Sequence, residues 1–429
     1  MFFKKGIKLA VKYSNFQVKN KNMTAKSIKH LYWIDRWIGG FICFVLTLIY
    51  KVLSFLKKPS KEKLIKNILI IQLSEMGSII LSYPALLDLY QKYKGAKLYL
   101  LTFDQQDSLV NLMPLKNMKI HFLKISIKSN IRFIIDLFRL FFHFWKAPFD
   151  IVIDFERFSR FSALISGLSF APFRVGFSRY TDEGLYRGNF YSHAVWYNNY
   201  QHISINFVAM IKSLEFPHRQ KPLIQRPLEN DLKPPVYDLS ESQTINMRKK
   251  IIKHCNLAET SKIWVLFNVG TGEPLPIRTW PMEHFKTLSE MILSQYNAFI
   301  ILLGQSDAKE NANYIYNRIR KDRCWNAAGH LELYELMALF GCSDILITPD
   351  SGMAHLASMT SIKSLVLFGP ETPIRYSPLG KNHINIFKNF SCSPCFSPHN
   401  HCQTNCIDAK CLKSITPKHV FNEFNKVLS

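Results

Sequence analysis

The side chains best suited to chemistry stand where short apolar runs end. In ITPDSGMAHLASM, residues 347–359, an apolar run gives way to Pro349-Asp350-Ser351-Gly352 and then to a helical pattern carrying His355. Asp350 or Ser351 can cap that helix, and Gly352 lets a ligand approach backbone N–H groups whose dipole favours phosphate. A turn of this kind also serves as a plain structural cap. The loop Gly369-Pro370-Glu371-Thr372-Pro373, at the end of the run SLVLFG, shifts the balance, because neighbouring strands that end together line one crevice. A second cluster is SCSPCFSPHNHCQTNCIDAKCL, with Cys392, Cys395, Cys402, Cys406 and Cys411 and with His399 and His401 between them. Thiolates two residues apart can share a tetrahedral ion, so a structural zinc stands beside free thiols and disulfides as a reading of this loop.

The elements that position these residues alternate. NILIIQL (67–73), KLYLLTF (97–103) and FDIVIDF (149–155) read as buried strands separated by amphipathic stretches, which predicts a first Rossmann-like domain of three units. A Pro-rich stretch at 222–237 is followed by a second set, IWVLFNV (263–269), AFIILLG (298–304), DILIT (344–348) and SLVLFG (364–369). The fold class expected is α/β, with two Rossmann-like domains facing across a cleft. The expected boundaries are 1–60 for a basic extension, 61–235 for an acceptor domain and 236–429 for a nucleotide domain.

A chain of 429 residues, 48% hydrophobic and 20% charged, is long enough for two such cores. Its 55 Lys and Arg against 31 Asp and Glu give a net charge of +24, spread over the whole length, which calls for an anionic partner. Zinc-finger spacing, an RNA-binding aromatic signature and a basic heptad region are all missing, so membrane or glycolipid phosphates are favoured over nucleic acid. Residues 37–56, WIGGFICFVLTLIYKVLSFL, are as long as a membrane span but contain Lys51 and Ser54. Lysines on both sides remove the charge asymmetry of a span, so a helix lying in one leaflet is expected, ahead of a true span or a buried core helix.

Taken together, D-S-G-x-x-H-L-A at 350–357 and L-F-G-P-x-x-P at 367–373 resemble glycosyltransferase family 9, the ADP-heptose:lipopolysaccharide heptosyltransferases. ILIIQLSEMGSIILSYPAL (68–86) is similar to the family's opening strand and glycine loop, and GTGEPLPIRTWPMEHF (270–285) to its phosphate loop. The resemblance implies a GT-B fold and an inverting transfer of heptose from ADP-heptose to a lipopolysaccharide or related glycolipid acceptor. No cofactor or metal would be required, and the site of action would be the cytoplasmic face of the inner membrane. It implies that Gly77, Ser78, Thr271, Asp350, Ser351, Gly352 and His355 hold the donor, with Arg278 in place of the family's phosphate-binding Lys. Arg keeps the charge and can take two oxygens at once. Asp307, after IILLG, suits ribose hydroxyls or a helix cap.

One departure bears on mechanism. The family has Gly-Asp in the first loop, the Asp serving as base, and this chain has Gly77-Ser78. Serine cannot take a proton unaided at neutral pH. Glu75 on the same loop, or Asp154, Glu156, Asp182 or Glu183 from another, would have to supply the carboxylate. The alternative is a degenerate nucleotide-sugar-binding scaffold or regulator that has lost transfer. A relocated base is favoured, because DFERF places two carboxylates at the carboxyl end of a strand.

Overall fold

The computed structural model describes residues 35–56, 64–73, 75–157, 159–178, 186–216, 232–255, 263–270, 276–396 and 404–428. The chain forms two compact units, one of Met1–Asn111 with Leu115–Asp231, the other of Leu112–Pro114 with Leu232–Ser429.

The first unit opens with a π-helical turn, Asp35–Gly39, leading into α1 (Gly40–Leu56). There follow β1 (Asn67–Ile71), α2 (Met76–Leu81), α3 (Tyr83–Lys92), β2 (Lys97–Phe103), α4 (Asp107–Leu112), β3 (His121–Ile125) and α5 (Asn130–Lys146). The second half holds β4 (Ile151–Asp154), α6 (Arg160–Leu168), β5 (Phe173–Ser178), β6 (His193–Trp196) and α7 (Ile203–Lys212). The six strands form one parallel sheet in the order β3-β2-β1-β4-β5-β6. The order reverses at β1, so the loops after β1 and β4 flank the switch point where ligands bind in such sheets.

The second unit contains α8 (Glu241–Cys255), β7 (Ile263–Asn268), α9 (Met282–Gln295), β8 (Ala298–Leu303), α10 (Lys309–Tyr316), β9 (Cys324–Asn326) and α11 (Leu333–Gly341). It continues with β10 (Ile345–Pro349), α12 (Gly352–Ala357), β11 (Lys363–Phe368), α13 (Pro373–Tyr376), β12 (His383–Phe387), α14 (Lys410–Lys413) and α15 (Pro417–Leu428). Its sheet is parallel throughout, in the order β12-β11-β10-β7-β8-β9. Every residue of β8 and β10 is buried, as the continuous apolar runs demand of strands covered on both faces.

Five strands escaped the sequence reading, and each has a local reason. β9 is three residues long and β6 four. β3 and β12 are edge strands whose outward residues dilute the apolar run. β5 carries Arg174, which is buried because its side chain donates to the Phe190 and Ala171 carbonyls while its guanidinium lies 4.0 Å from the centre of the Tyr50 ring.

The apolar N-terminal helix is docked along one stripe. Cys43 and Leu46 are buried against Ala163 and Phe190. The Thr47 hydroxyl accepts from the Asn189 N–H at 2.9 Å, and the Tyr50 hydroxyl donates to the Gly167 carbonyl at 2.6 Å. Below α1, Arg160 donates to Asp35 at 2.6 Å and to the Tyr186 carbonyl at 2.8 Å. Burial pushes the Asp35 carboxyl up, and Arg160 opposes that shift. The opposite stripe, Trp37, Phe41, Phe44, Leu48 and Val52, is exposed. A core helix would hide that stripe, whereas a helix that associates with a membrane presents it.

A Cβ added at Gly167 would stand 3.0 Å from Leu46 Cδ1 and 3.2 Å from the Phe190 ring. Gly167→Val is therefore expected to cost about 1–3 kcal/mol, read as a lower urea midpoint, and to speed proteolysis within residues 35–56. Unchanged stability and cleavage would show that α1 does not seat on α6.

Candidate functional site

In the second unit the polar groups gather at the carboxyl ends of β7 and β10. The Asn268 side-chain amide donates to Thr348 Oγ1 at 2.9 Å and to Ser351 Oγ at 3.0 Å, and all three residues are buried. Its carbonyl oxygen accepts from the Gly270 N–H at 3.4 Å. Ser351 occupies the N-cap position of α12 in an extended conformation, yet its hydroxyl makes no cap bond. The expected side-chain cap is corrected on this point, because Asn268 and Thr348 hold the Ser351 hydroxyl. Asn268 itself was missed by sequence reasoning. The available signal was an amide ending five residues of apolar strand, where burial forces it to find partners.

Arg278 ends the short turn Pro276–Arg278, and its guanidinium lies 3.3 Å from the Asp350 carboxylate. The turn is anchored two residues on. Trp280 is fully buried and its indole N–H donates to the Ile415 carbonyl at 2.9 Å. Asp350 is 8% exposed at its side chain and Arg278 23%, so the cation presents the more open edge to a ligand. Gly352 is half-buried and His355 buried on α12. Asp307 is exposed in the turn Ser306–Ala308 after β8, where the N-cap positions belong to Gln305 and Ala308, so Asp307 is not the capping residue. Gly270 abuts that turn, since a Cβ there would lie 2.6 Å from the Ala308 Cβ.

The loop after β11 is more closed than its sequence suggests. Glu371 pairs with Arg375 at 2.9 Å, both side chains are 5% exposed, and Arg375 also donates to the Phe396 carbonyl at 2.7 Å. That pair braces the loop rather than offering a free carboxylate. In the late loop Cys392, Cys395, Cys406 and Cys411 form no disulfide with one another, and burial pushes Cys395 and Cys411 up. Among the described residues no three His, Cys, Asp or Glu side chains gather as a metal site, so the zinc reading finds no support there. Cys402, like Thr271, Asp182 and Glu183, lies outside the described residues.

In the first unit the two strand ends at the switch point carry three of the candidate carboxylates. Asp154 is fully buried at the end of β4. It forms an ion pair with Arg187, accepts from the Tyr191 hydroxyl at 2.7 Å and the Ser162 hydroxyl at 3.1 Å, and takes the Glu156 N–H at 3.1 Å. Burial pushes the carboxyl up, and Arg187 with its two hydroxyl partners opposes that. With both oxygens occupied and no exposed surface, Asp154 is structural and has no face for a substrate hydroxyl. Glu156 is half-buried and accepts from the Leu73 N–H at 2.7 Å and the Gln72 amide at 3.3 Å, tying the loop after β4 to that after β1.

Glu75 differs from both. It is exposed at the N-cap of α2, with φ 65° and ψ 99°, and its carboxylate accepts from the Ser78 hydroxyl at 3.0 Å. A glutamate in left-handed backbone costs about 1–3 kcal/mol, a strain found where a side chain has to be aimed. Gly77 and Ser78 follow on the first turn of α2. Ser78 therefore bonds to a carboxylate three positions earlier.

A family model described as Glycosyltransferase family 9 (heptosyltransferase) matches residues 138–405. Lipopolysaccharide heptosyltransferase 2 of Salmonella typhimurium is 26% identical over 107 residues, 24% of this chain and 30% of that protein. Lipooligosaccharide heptosyltransferase 2 of Campylobacter jejuni serotype O:6 is 24% identical over 156 residues, 35% of this chain and 47% of that protein. The matched stretches thus span from under a third to about half the length of these curated relatives. Among solved structures, E. coli ADP-heptose lps heptosyltransferase II aligns with a TM-score of 0.63 and 19% identity, over 84% of this chain and 98% of that one. E. coli heptosyltransferase WaaC with ADP aligns at 0.55 and 17%, over 84% and 99%. These likenesses show the fold, which is of the GT-B type.

Arg187→Met strands the Asp154 charge in the core and is expected to cost about 3–5 kcal/mol in urea unfolding. Adding Asp154→Asn should recover part of that loss. A single variant as stable as the parent would contradict the structural role of the pair.

Proposed function

The chain belongs to glycosyltransferase family 9, and from that premise we propose that it is an inverting glycosyltransferase that moves a heptose from ADP-heptose to a lipopolysaccharide-core or related anionic glycolipid acceptor, on the cytoplasmic face of the inner membrane. The observation that carries the reading is the Arg278–Asp350 pair set beside the buried Asn268–Thr348–Ser351 bonds. A cation held by a carboxylate at the carboxyl ends of parallel strands is suited to a diphosphate. Such a guanidinium can neutralise the charge that builds up as a nucleoside diphosphate departs.

Glu75 is the base in this reading. The acceptor hydroxyl gives its proton to the Glu75 carboxylate, its oxygen bonds to the anomeric carbon, and the bond from that carbon to ADP breaks with its electron pair leaving on the phosphate. Attack opposite the leaving group inverts the anomeric centre. Ser78 holds one Glu75 oxygen and aims the carboxylate. Glu156 orders the same loop by accepting the Leu73 N–H. In this reading Asp307, exposed on the loop after β8, takes the ribose hydroxyls.

Two measurements test the reading separately. Calorimetric titration with ADP, UDP, GDP and CMP should show selective ADP binding, and Arg278→Ala should weaken it about 10- to 100-fold, the loss of a charge-assisted contact. Binding that is unchanged by Arg278→Ala would place the donor elsewhere. Glu75→Gln should keep ADP affinity and lower kcat for transfer from ADP-heptose by about 10²- to 10⁴-fold, as loss of a general base does. Full turnover in Glu75→Gln would remove Glu75 as base, and selective ADP binding without turnover in the parent would favour the scaffold alternative.

A further inference from the structure

Helix α5, Asn130–Lys146, is apolar on two opposite sides. Phe133, Leu137, Leu140 and Phe144 are buried in the core with Leu69, Ile71, Leu101 and Val152. Such a face is ordinary for a helix covering a parallel sheet. The other side carries Ile131, Ile135, Phe138, Phe142 and Trp145, all exposed, with Ile131, Phe138 and Trp145 at 74%, 72% and 79%. At 100° per residue these five fall within an arc of roughly 80° that points away from the buried stripe. Five large apolar side chains aligned on the outside of one helix exceed the scattered hydrophobes of an ordinary surface.

Charge decides what covers the stripe. The remaining exposed side chains of α5 are Asn130, Arg132, Arg139 and Lys146, the last lying 4.8 Å from the centre of the Phe142 ring. The helix has one acid, Asp136, which is half-buried, accepts from the Ser126 N–H at 2.9 Å and pairs with Arg139. Basic residues flanking an apolar stripe, with a tryptophan at its end, match the interface of a bilayer bearing anionic lipid. A second copy would set these cations against themselves on a chain of net charge +24.

α5 and α1 rest on the same helix. α5 packs on Phe161 of α6, with ring centres 5.7 Å apart, and Ile165 of α6 lies in the same core cluster. α1 packs on Ala163 of that same α6 and keeps its own exposed apolar stripe. One helix therefore supports two others that both turn apolar side chains to solvent.

We propose that the outward stripe of α5, residues Ile131, Ile135, Phe138, Phe142 and Trp145, is a second membrane-binding surface of the first unit, seated in the headgroup layer of anionic phospholipid. The proposal does not depend on the transferase reading. It implies that lipid contact in the first unit is not left to α1 alone.

The test uses the full chain and vesicles of phosphatidylcholine, with or without phosphatidylglycerol, whose acyl chains carry bromine. The emission of Trp145, isolated as the difference between the parent and Trp145→Phe, should be quenched by about half or more on phosphatidylglycerol vesicles and much less on phosphatidylcholine alone. Phe138→Ser with Phe142→Ser should weaken partitioning onto those vesicles about tenfold or more, while α1 still supports some binding. Absence of vesicle binding, or binding without quenching of Trp145, would overturn the proposal. Equal quenching on both vesicle types would overturn its anionic part. Shielding of Trp145 from acrylamide without lipid, in a species of twice the chain mass, would assign the stripe to a second copy instead. Because the Trp145→Phe comparison needs no disruptive change, it stands even if the double variant folds poorly.

Discussion

A carboxylate at the dry end of a parallel strand must find its counter-charge inside the protein, and in the first unit Asp154 meets that constraint through Arg187. The guanidinium reaches Asp154 and Ser162, and two further N–H groups go to the Ser159 and Phe177 carbonyls at 3.1 and 3.4 Å. One buried charge pair therefore joins the end of β4, the start of α6 and the end of β5. Tyr191 adds the segment just before β6, and a Cβ at Gly176 would lie 2.2 Å from its ring, so the phenol has room only because that strand position is glycine. A buried ion pair is a poor source of net stability, yet the cost of leaving it unmet makes one arrangement far better than its neighbours.

That arrangement determines what is left for chemistry. Since Asp154 is consumed by the scaffold, the acids remaining in the described parts of the loops after β1 and β4 are Glu75 and Glu156. Glu156 spends one oxygen on the loop after β1, which holds that loop in register with the loop after β4. Glu75 is left exposed, in strained backbone, with a serine as its partner. The second unit uses a neutral version of the same device. Asn268 satisfies buried hydroxyls across two strands, and the charged pair of Arg278 and Asp350 stands beside it, partly open.

The helical layer of the first unit follows the same economy of support. α6 carries Arg160 and Ser162 for the polar ties, Phe161 and Ile165 for the α5 side, and Ala163 with Gly167 for the α1 side. Small residues at the last two positions let α1 approach closely. The hydrophobic effect buries one stripe of α1 and one of α5 and leaves a second stripe on each unsatisfied in water.

By itself the sequence determined the elements that are long and uniformly apolar, and the loops whose composition is unusual. Strands such as IWVLFN and AFIILL declare themselves because burial on both faces demands unbroken hydrophobes, and Asp350-Ser351-Gly352 stands out because it joins such a run to a helical pattern. Periodicity could not reveal β9 or β6, which are too short to repeat, nor β5, whose Arg174 is offset by carbonyls sixteen residues of chain or less away. The roles of the acids were decided only in three dimensions. Asp154 and Glu156 sit two residues apart and look alike in one dimension, but one is sealed against Arg187 while the other reaches a backbone N–H of a neighbouring loop. Ser351 looked like a helix cap until Asn268, eighty-three positions earlier, took its hydroxyl. Hydrogen bonds and ion pairs act over a few ångströms between groups far apart in sequence, so the use made of a polar side chain is fixed by what folding brings beside it.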